Sequence, residues 1–403
     1  MTPWDVTTVG NVSLVVTKGT TPTSIGRAFT SSGIPFVKVE SIQTDGFVDL
    51  RKTAFIDEET HASLSRSALQ VDDILFTIAG TIGRVAQVTA AVTPGNTNQA
   101  VAVIRPDSRI VEPRFVLYCL RDKRRVQKAQ SRVVQSVQAN LSLSELRAVE
   151  IPLPSLQEQR AITSILGALD DKIAVNERIA STYEQLLQYR FTALGLADEP
   201  REERAVAVTE LVTFNPKRSV PTSESPVYVD MAALQTGRAG IPVWTRRAPK
   251  SGPRFMNGDT LLARITPCLE NGKTGYVDFM EDDEVGLGST EFIVMCSRPG
   301  VPAELSYFLA RDSRFREHAI RNMVGTSGRQ RVSAADAANY FVNRPDAEML
   351  ASFGEQAEAA FAHMASLQNE NRTLAALRDT LLPQLMSGSL RVKGAEKIVE
   401  DHV

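Results

Sequence analysis

Cysteine is nearly absent from this chain: Cys119, Cys268 and Cys296 stand alone in 403 residues. An odd number of scattered thiols, none at metal-ligand spacing, excludes a disulfide framework and points to a reducing cytoplasm. Long apolar runs are missing too. The run Val12–Val16 is too short for a signal peptide and is soon followed by Lys18. No stretch approaches the ~20 apolar residues that cross a bilayer, so no membrane association is expected. Aromatics make up only 6% of residues and form no stacking platform, which weighs against an RNA binder. His61, His318, His363 and His402 are isolated in sequence, so no metal site is expected.

Catalytic motifs are lacking as well. The stretch PCLENGKT (267–274) ends in Gly-Lys-Thr, but Pro267 stands where a phosphate-binding loop needs its first glycine. A turn between strands, rather than a helix, is expected there. There is no Asn-Pro-Pro-aromatic tetrad to hold a flipped base. The acidic run Glu281–Glu284 has the composition of a solvated loop. The chain reads as a non-enzyme without a cofactor of its own. Its 45 Lys and Arg against 47 Asp and Glu give a net charge of −2, which taken alone argues against a nucleic-acid partner. The distribution of those charges argues otherwise.

What the chain does have is an internal repeat, the first thing to seek in a sequence of this length. VDDILFTIAGTIGRVAQV (71–88) matches NGDTLLARITPCLENGKTGYV (257–277), aligning Gly83-Arg84 with Gly272-Lys273. Each reads as a strand, a Gly-bearing basic turn and a second strand. NTNQAVAVIRP (96–106) matches GSTEFIVMCSRP (288–299), and 114–130 matches 304–320. SVQANLSLSELRAVEIPLP (136–154) matches SGRQRVSAADAANYFVNRP (327–345), at an offset one residue larger. Four segments in one order at nearly one offset mark a duplication.

Each copy ends in a long helix. In the first, Ser155 and Glu158 form a capping-box pattern after IPLP. A worn version, with Ser352, Glu355 and Gln356, follows Pro345. The first helix carries Ile162, Ile165, Leu169, Asn176, Tyr183 and Leu186 at a 3–4 spacing; the second carries Met364, Leu367, Asn371 and Leu374. These narrow stripes predict an antiparallel two-helix coiled coil with an asparagine from each helix on the seam. A helix from about Ser155 to Leu194 is roughly 60 Å long at ~1.5 Å per residue, more than one small domain covers. The expected layout is a domain (1–154), a helix (155–194), a second domain (195–350, opened by the charged link 195–208), a second helix (351–390) and a frayed polar tail (391–403). The class is α/β (α+β).

Both halves place a basic segment after the first helix of the domain: Arg121, Lys123, Arg124, Arg125, Lys128 and Arg132, then Arg311, Arg314, Arg316, Arg321, Arg329 and Arg331. Clustered Lys and Arg bind phosphates, while Arg, Asn, Gln, Ser and Thr read base edges. The turn-rich regions carry that second inventory. In the first half it comprises Thr77, Thr81, Arg84, Asn98 and Gln99, with Ser136 and Gln138 farther on. In the second it comprises Arg264, Lys273, Ser289, Thr290, Ser327 and Gln330. These residues are the candidate DNA contacts. A duplicated coiled-coil scaffold whose basic runs hold an acidic partner is the alternative reading.

IPLPSLQEQRAITSILGALDDKIAVNERIASTYEQLLQYRFTAL (151–194) resembles the central conserved region of the specificity subunits of type I restriction-modification systems. ENRTLAALRDTLLPQLMSGSLRV (370–392) resembles their distal conserved region, and the Lys18-Gly19-Thr20 opening fits the start of their reading domains. The resemblance adds Lys18 and Thr20 to the candidate contacts. It implies two pseudo-symmetric target-recognition domains separated by antiparallel helices, each domain reading half of a bipartite site on double-stranded DNA. It also implies partners: two adenine methyltransferase subunits using S-adenosylmethionine, and restriction subunits that translocate with ATP and Mg2+.

Overall fold

The computed structural model describes residues 4–43, 46–131, 140–248, 251–326 and 328–401. The chain divides into two compact units, Met1–Ala174 with Thr373–Val403, and Val175–Arg372.

The first unit contains strands β1 (Val6–Thr8), β2 (Ser13–Lys18), β3 (Ile34–Val37), β4 (Ala54–Ile56), β5 (Ile74–Thr77), β6 (Val85–Gln87), β7 (Asn96–Thr97), β8 (Val101–Pro106) and β9 (Glu150–Pro152). One antiparallel sheet has the order β2–β8–β5–β6. A second, β4–β3–β7, contains a parallel β3–β7 pair, and β1 pairs with β9. Helices α1 (Glu58–Ser63), α2 (Pro113–Arg121), α3 (Lys123–Ser131) and α4 (Leu143–Arg147) follow the strands, before the long α5 (Leu156–Ala193).

The second unit repeats this plan. Its strands are β10 (Ala205–Ala207), β11 (Val212–Phe214), β12 (Val227–Val229), β13 (Thr245–Arg246), β14 (Arg254–Phe255), β15 (Asp259–Ala263), β16 (Thr274–Tyr276), β17 (Gly286–Gly288), β18 (Phe292–Ser297) and β19 (Phe341–Asn343). The main sheet is ordered β11–β18–β15–β16. The second is β13–β12–β17–β14 with β12 and β17 parallel, and β10 pairs with β19. Helices α6 (Leu305–Arg311), α7 (Ser313–Arg321) and α8 (Ala334–Ala338) precede the long α9 (Ala347–Ser387) and the terminal α10 (Val392–Glu400). Both central strands, VAVIRP and FIVMCS, are continuous apolar runs because neighbouring strands and helices cover them on both faces.

The long helices belong to the domain cores as much as to each other. In the first unit Ile162, Leu166 and Leu169 of α5 and Leu374, Leu381 and Leu385 of α9 share one apolar cluster with Phe76, Ile104, Phe115 and Tyr118. In the second, Leu187 and Phe191 of α5 and Phe353, Phe361 and Met364 of α9 join Phe308 and Phe315. Within each unit α5 and α9 pack antiparallel, and in the second unit the two stripe asparagines meet. Asn176, fully buried, donates to Asn371 Oδ1 at 2.9 Å and to Glu370 Oε2 at 2.6 Å. Nearby, Tyr183 Oη lies 3.1 Å from His363 Nδ1 and Leu367 is buried; Ile165, in the first unit, is half-buried against that unit's core.

Three expectations are corrected. Leu186 is 49% exposed, and Leu187 is buried in its place. A helix of 3.6 residues per turn drifts against a 3–4 stripe, so the buried face has moved on by one residue. The second long helix starts at Ala347, ahead of the Ser352 pattern, because Asp346 Oδ1 accepts from the backbone of Glu348 and Met349 at 3.0 Å. Asp346 stands after Pro345 as Ser155 stands after Pro154, where Ser155 and Glu158 do form a capping box. The tail does not fray at once: α10 buries Ala395 and lays Val392, Ile398 and Val399 against the first unit's core.

Candidate nucleic-acid interface

The basic turns prove to be internal fasteners. Arg84 Nη1 donates to the carbonyls of Val39 and Ile42, at 3.5 and 3.1 Å, in the loop that follows β3. Lys273, its counterpart, donates from Nζ to the Met231 carbonyl at 3.0 Å, in the loop that follows β12. The repeat has kept one interaction, a cation on the β-turn pinning the loop after the parallel strand. Thr77 is fully buried; its hydroxyl donates to the Thr81 carbonyl at 2.5 Å and accepts from Arg84 N at 2.9 Å. It therefore shapes the turn and presents nothing to a ligand, whereas Thr81 is exposed at the tip.

Much of each basic segment is also engaged inward. Arg121 reaches Asp170 on α5 at 2.7 Å, as do Tyr118 Oη at 2.7 Å and Arg378 of α9 at 2.8 Å. In the second unit Arg311 and Tyr307 approach Glu184 of α5, at 3.0 and 3.5 Å. Burial pushes the Glu184 carboxyl up, with the Ala239 amide and Arg311 opposing it. Arg125 donates to the Met386 carbonyl at 3.0 Å, and Arg314 to that of Ala197 at 3.3 Å. Arg316 lies over the Gly272 turn, its Nη1 2.6 Å from where a Cβ would stand. These arginines carry positive charge in sequence, but their geometry serves packing. Arg124 and Arg321 are exposed and pair with Asp122 and Glu317, at 3.2 and 3.3 Å; Arg329 is exposed. Arg132, Ser136, Gln138 and Ser327 lie outside the described residues.

Other candidates converge on one corner of each unit. In the first, Gly19 carries the chain after β2 against the end of β7; a Cβ there would fall 1.7 Å from the Thr97 carbonyl. That approach brings Lys18 and Thr20 beside Asn98 and Gln99: Thr20 N donates to the Thr97 carbonyl at 3.1 Å, and Thr21 Oγ1 bonds Gln99 Oε1. Arg66 joins them, donating to Lys18 O and Thr20 Oγ1 at 3.4 Å. Lys18 and Gln99 are exposed.

The second unit builds the same corner from Ser289, Thr290 and Arg264, with Gln330 and Arg331 zipped on from the chain beyond α7. Thr266 N donates to Gln330 O and Gln330 N to Thr266 Oγ1, both at 3.1 Å. Val332 N donates to Arg264 O at 3.0 Å. Arg331 grips Glu291 with Nε and Nη2 at 2.8 and 2.7 Å, and that grip holds the carboxyl below its usual range. Arg264 keeps a buried Nε without a hydrogen-bond partner, and Thr290 is exposed. Sequence reasoning missed Arg66 and Thr21 here, and Lys217, Arg218 and Arg254 in the second unit. The signal available for Lys217 and Arg218 was position: the stretches KGTTPTS and NPKRSVPTS both follow the first strand of the main sheet.

Residues 1–185 match the family model described as the type I restriction modification DNA specificity domain. The MjaIX type I restriction enzyme specificity subunit of Methanocaldococcus jannaschii is 23% identical over 97% of this chain and 94% of its own length. The EcoBI specificity subunit of Escherichia coli is 35% identical over 32% of this chain. The chain spans 27% of the length of that relative, and 36% of another from M. jannaschii. Among solved structures, the type I restriction-modification S subunit of M. genitalium shares the fold, with a TM-score of 0.53 at 15% identity over 95% of this chain and 96% of its own.

Proposed function

We propose that this chain is a specificity subunit of a type I restriction-modification system, the non-catalytic subunit that selects the DNA sequence such a complex acts on; the match of residues 1–185 to the specificity-domain model and the full-length likeness to the MjaIX subunit support the reading. Each target-recognition domain, residues 1–154 and 195–350, reads one half of a bipartite site on duplex DNA. The observation that carries this reading is the doubled corner: two units of one topology present Lys18, Thr20, Asn98 and Gln99, and Arg264, Ser289 and Thr290, at the same place in the fold. Amides, hydroxyls and arginines are the groups that distinguish base edges in a groove.

The long helices act as the spacer. A 38-residue helix is about 57 Å long, and half-sites on one face of a duplex lie roughly 34 Å apart, one helical turn. The spacer also docks two adenine methyltransferase subunits, which supply base flipping and methyl transfer from S-adenosylmethionine; restriction subunits driven by ATP and Mg2+ join them in the cytoplasm. The test is to express the chain with its modification subunits and map methylated adenines in a host genome. A two-part motif with an unread gap supports the reading; a continuous motif, or methylation unchanged without this chain, overturns it.

A further inference from the structure

We propose that a cleft in the second unit, bordered by Lys217, Arg218, Arg254, Arg264 and Thr290, is a subsite for a backbone phosphate of the bound DNA. The inference rests on the reading that this chain binds duplex DNA, and it names where the second unit grips the strand.

The cleft measures about 590 Å³. Four segments build it: the loop after β11, the run into β14, the turn after β15 and the loop between β17 and β18. Two local features bring them together. Asn215 sits at φ 49°, and its Oδ1 accepts from Val294 N at 2.9 Å, which turns the chain off β11 and toward the cleft. Gly252, at φ 150°, lies so close to β17 that a Cβ would stand 1.9 Å from the Gly288 carbonyl. In the first unit it is Gly19, after β2, that comes as close to the end of β7, 1.7 Å from the Thr97 carbonyl.

The lining has four cations and no carboxylate. Of the nearby carboxylates, buried Asp259 takes up one of the four cations, Arg218, at 2.5 Å, and Glu291 is held by Arg331 at 2.7 Å. Arg254 donates from Nη1 to the Arg218 carbonyl at 2.7 Å, which leaves its charge without a counter-ion. Among the described residues Lys217, Arg254 and Arg264 form no ion pair. Two cations without a carboxylate partner, Lys217 and Arg254, stand with Arg264, whose charge also acts on Glu291, and the exposed Thr290 around one opening; together they match the charge and acceptor oxygens of a phosphodiester. A base edge takes a single guanidinium, so Lys217 and Arg254 exceed what base reading uses, and Arg264 and Thr290 stand where the base-reading corner meets the strand backbone. The first unit's corner pairs Lys18 and Arg66 with the neutral Asn98 and Gln99, so the heavier concentration of charge belongs to the second unit.

The test measures binding of the full chain to a labelled duplex by fluorescence anisotropy between 50 and 200 mM KCl. Each lost phosphate contact lowers the slope of log affinity against log salt by about 0.9. The Lys217→Gln variant, changed at an exposed side chain, is expected to show that decrease. Its affinity loss over this salt range is then about 3.5-fold smaller than wild type's. Arg254→Gln repeats the effect, and Lys217→Arg keeps the wild-type slope. All three changes act equally on duplexes of unrelated sequence. A wild type that binds with a slope unchanged in Lys217→Gln and Arg254→Gln overturns the subsite alone. An effect confined to one target sequence also overturns it, in favour of base reading. Failure of the wild-type chain to bind any duplex at 50 mM KCl overturns the DNA reading, and the subsite with it.

Discussion

Asp170 is 3% exposed and receives Arg121, Arg378 and Tyr118, drawing α2 and both long helices onto one carboxylate. Replacing it with alanine leaves two guanidiniums facing each other without their counter-charge. A loss of about 3 kcal/mol in the first unit follows, since breaking a buried ion cluster costs more than the pair contributes. The chain carries two tryptophans, Trp4 in the first unit and Trp244 in the second. Urea unfolding of Asp170→Ala followed through Trp4, with Trp244 replaced by phenylalanine, measures that unit separately; a loss under about 1 kcal/mol, the range of an exposed pair, refutes the clamp. This is also the scale at which the sequence was hardest to read. Arg84, Lys273, Arg121 and Arg311 have the composition and spacing of a nucleic-acid surface, yet each reaches a carbonyl or a buried carboxylate. A guanidinium looks the same in sequence whether it faces solvent or a carbonyl. Lys217 and Arg254 were overlooked for another reason: neither lies in the basic segments that the repeat duplicates, and only folding brings them to Arg264 and Thr290.

Elements were far more legible, because their signals are periodic. The 3–4 spacing marked both long helices and put Asn176 and Asn371 on the seam, where the structure bonds one to the other at 2.9 Å. The misread boundary came from giving weight to Ser352 and Glu355 when the cap was Asp346. Asn176→Ala is expected to destabilise the second unit by about 1 kcal/mol, since it removes the hydrogen bonds to half-buried Asn371 and Glu370. Changing both asparagines to leucine is expected to restore most of that loss at the expense of register specificity. Thermal unfolding followed through Trp244, with Trp4 replaced by phenylalanine, compares the single and double variants; a double variant less stable than the single one contradicts the seam. The α10 helix was hidden because its apolar residues, Val392, Ala395, Ile398 and Val399, are diluted by lysine and glutamate, and a stripe this short reads as tail.

For the whole molecule, the duplication was visible in four weak matches, and the structure returns it as one strand order in the two main sheets, with β14 added to the second sheet of the second unit. The net charge of −2 concealed the partner, because uncompensated cations at two corners are a small share of 45. Duplication is also what makes the proposed function modular: if each unit reads its own half-site, exchanging one unit changes one half of the target. The most direct measurement replaces residues 1–154 with the matching segment of a relative of different specificity, expresses the chimera with its modification subunits and maps methylated adenines across the genome. The account predicts a motif altered in one half, with the other half retained. A motif altered in both halves, or in neither, contradicts it.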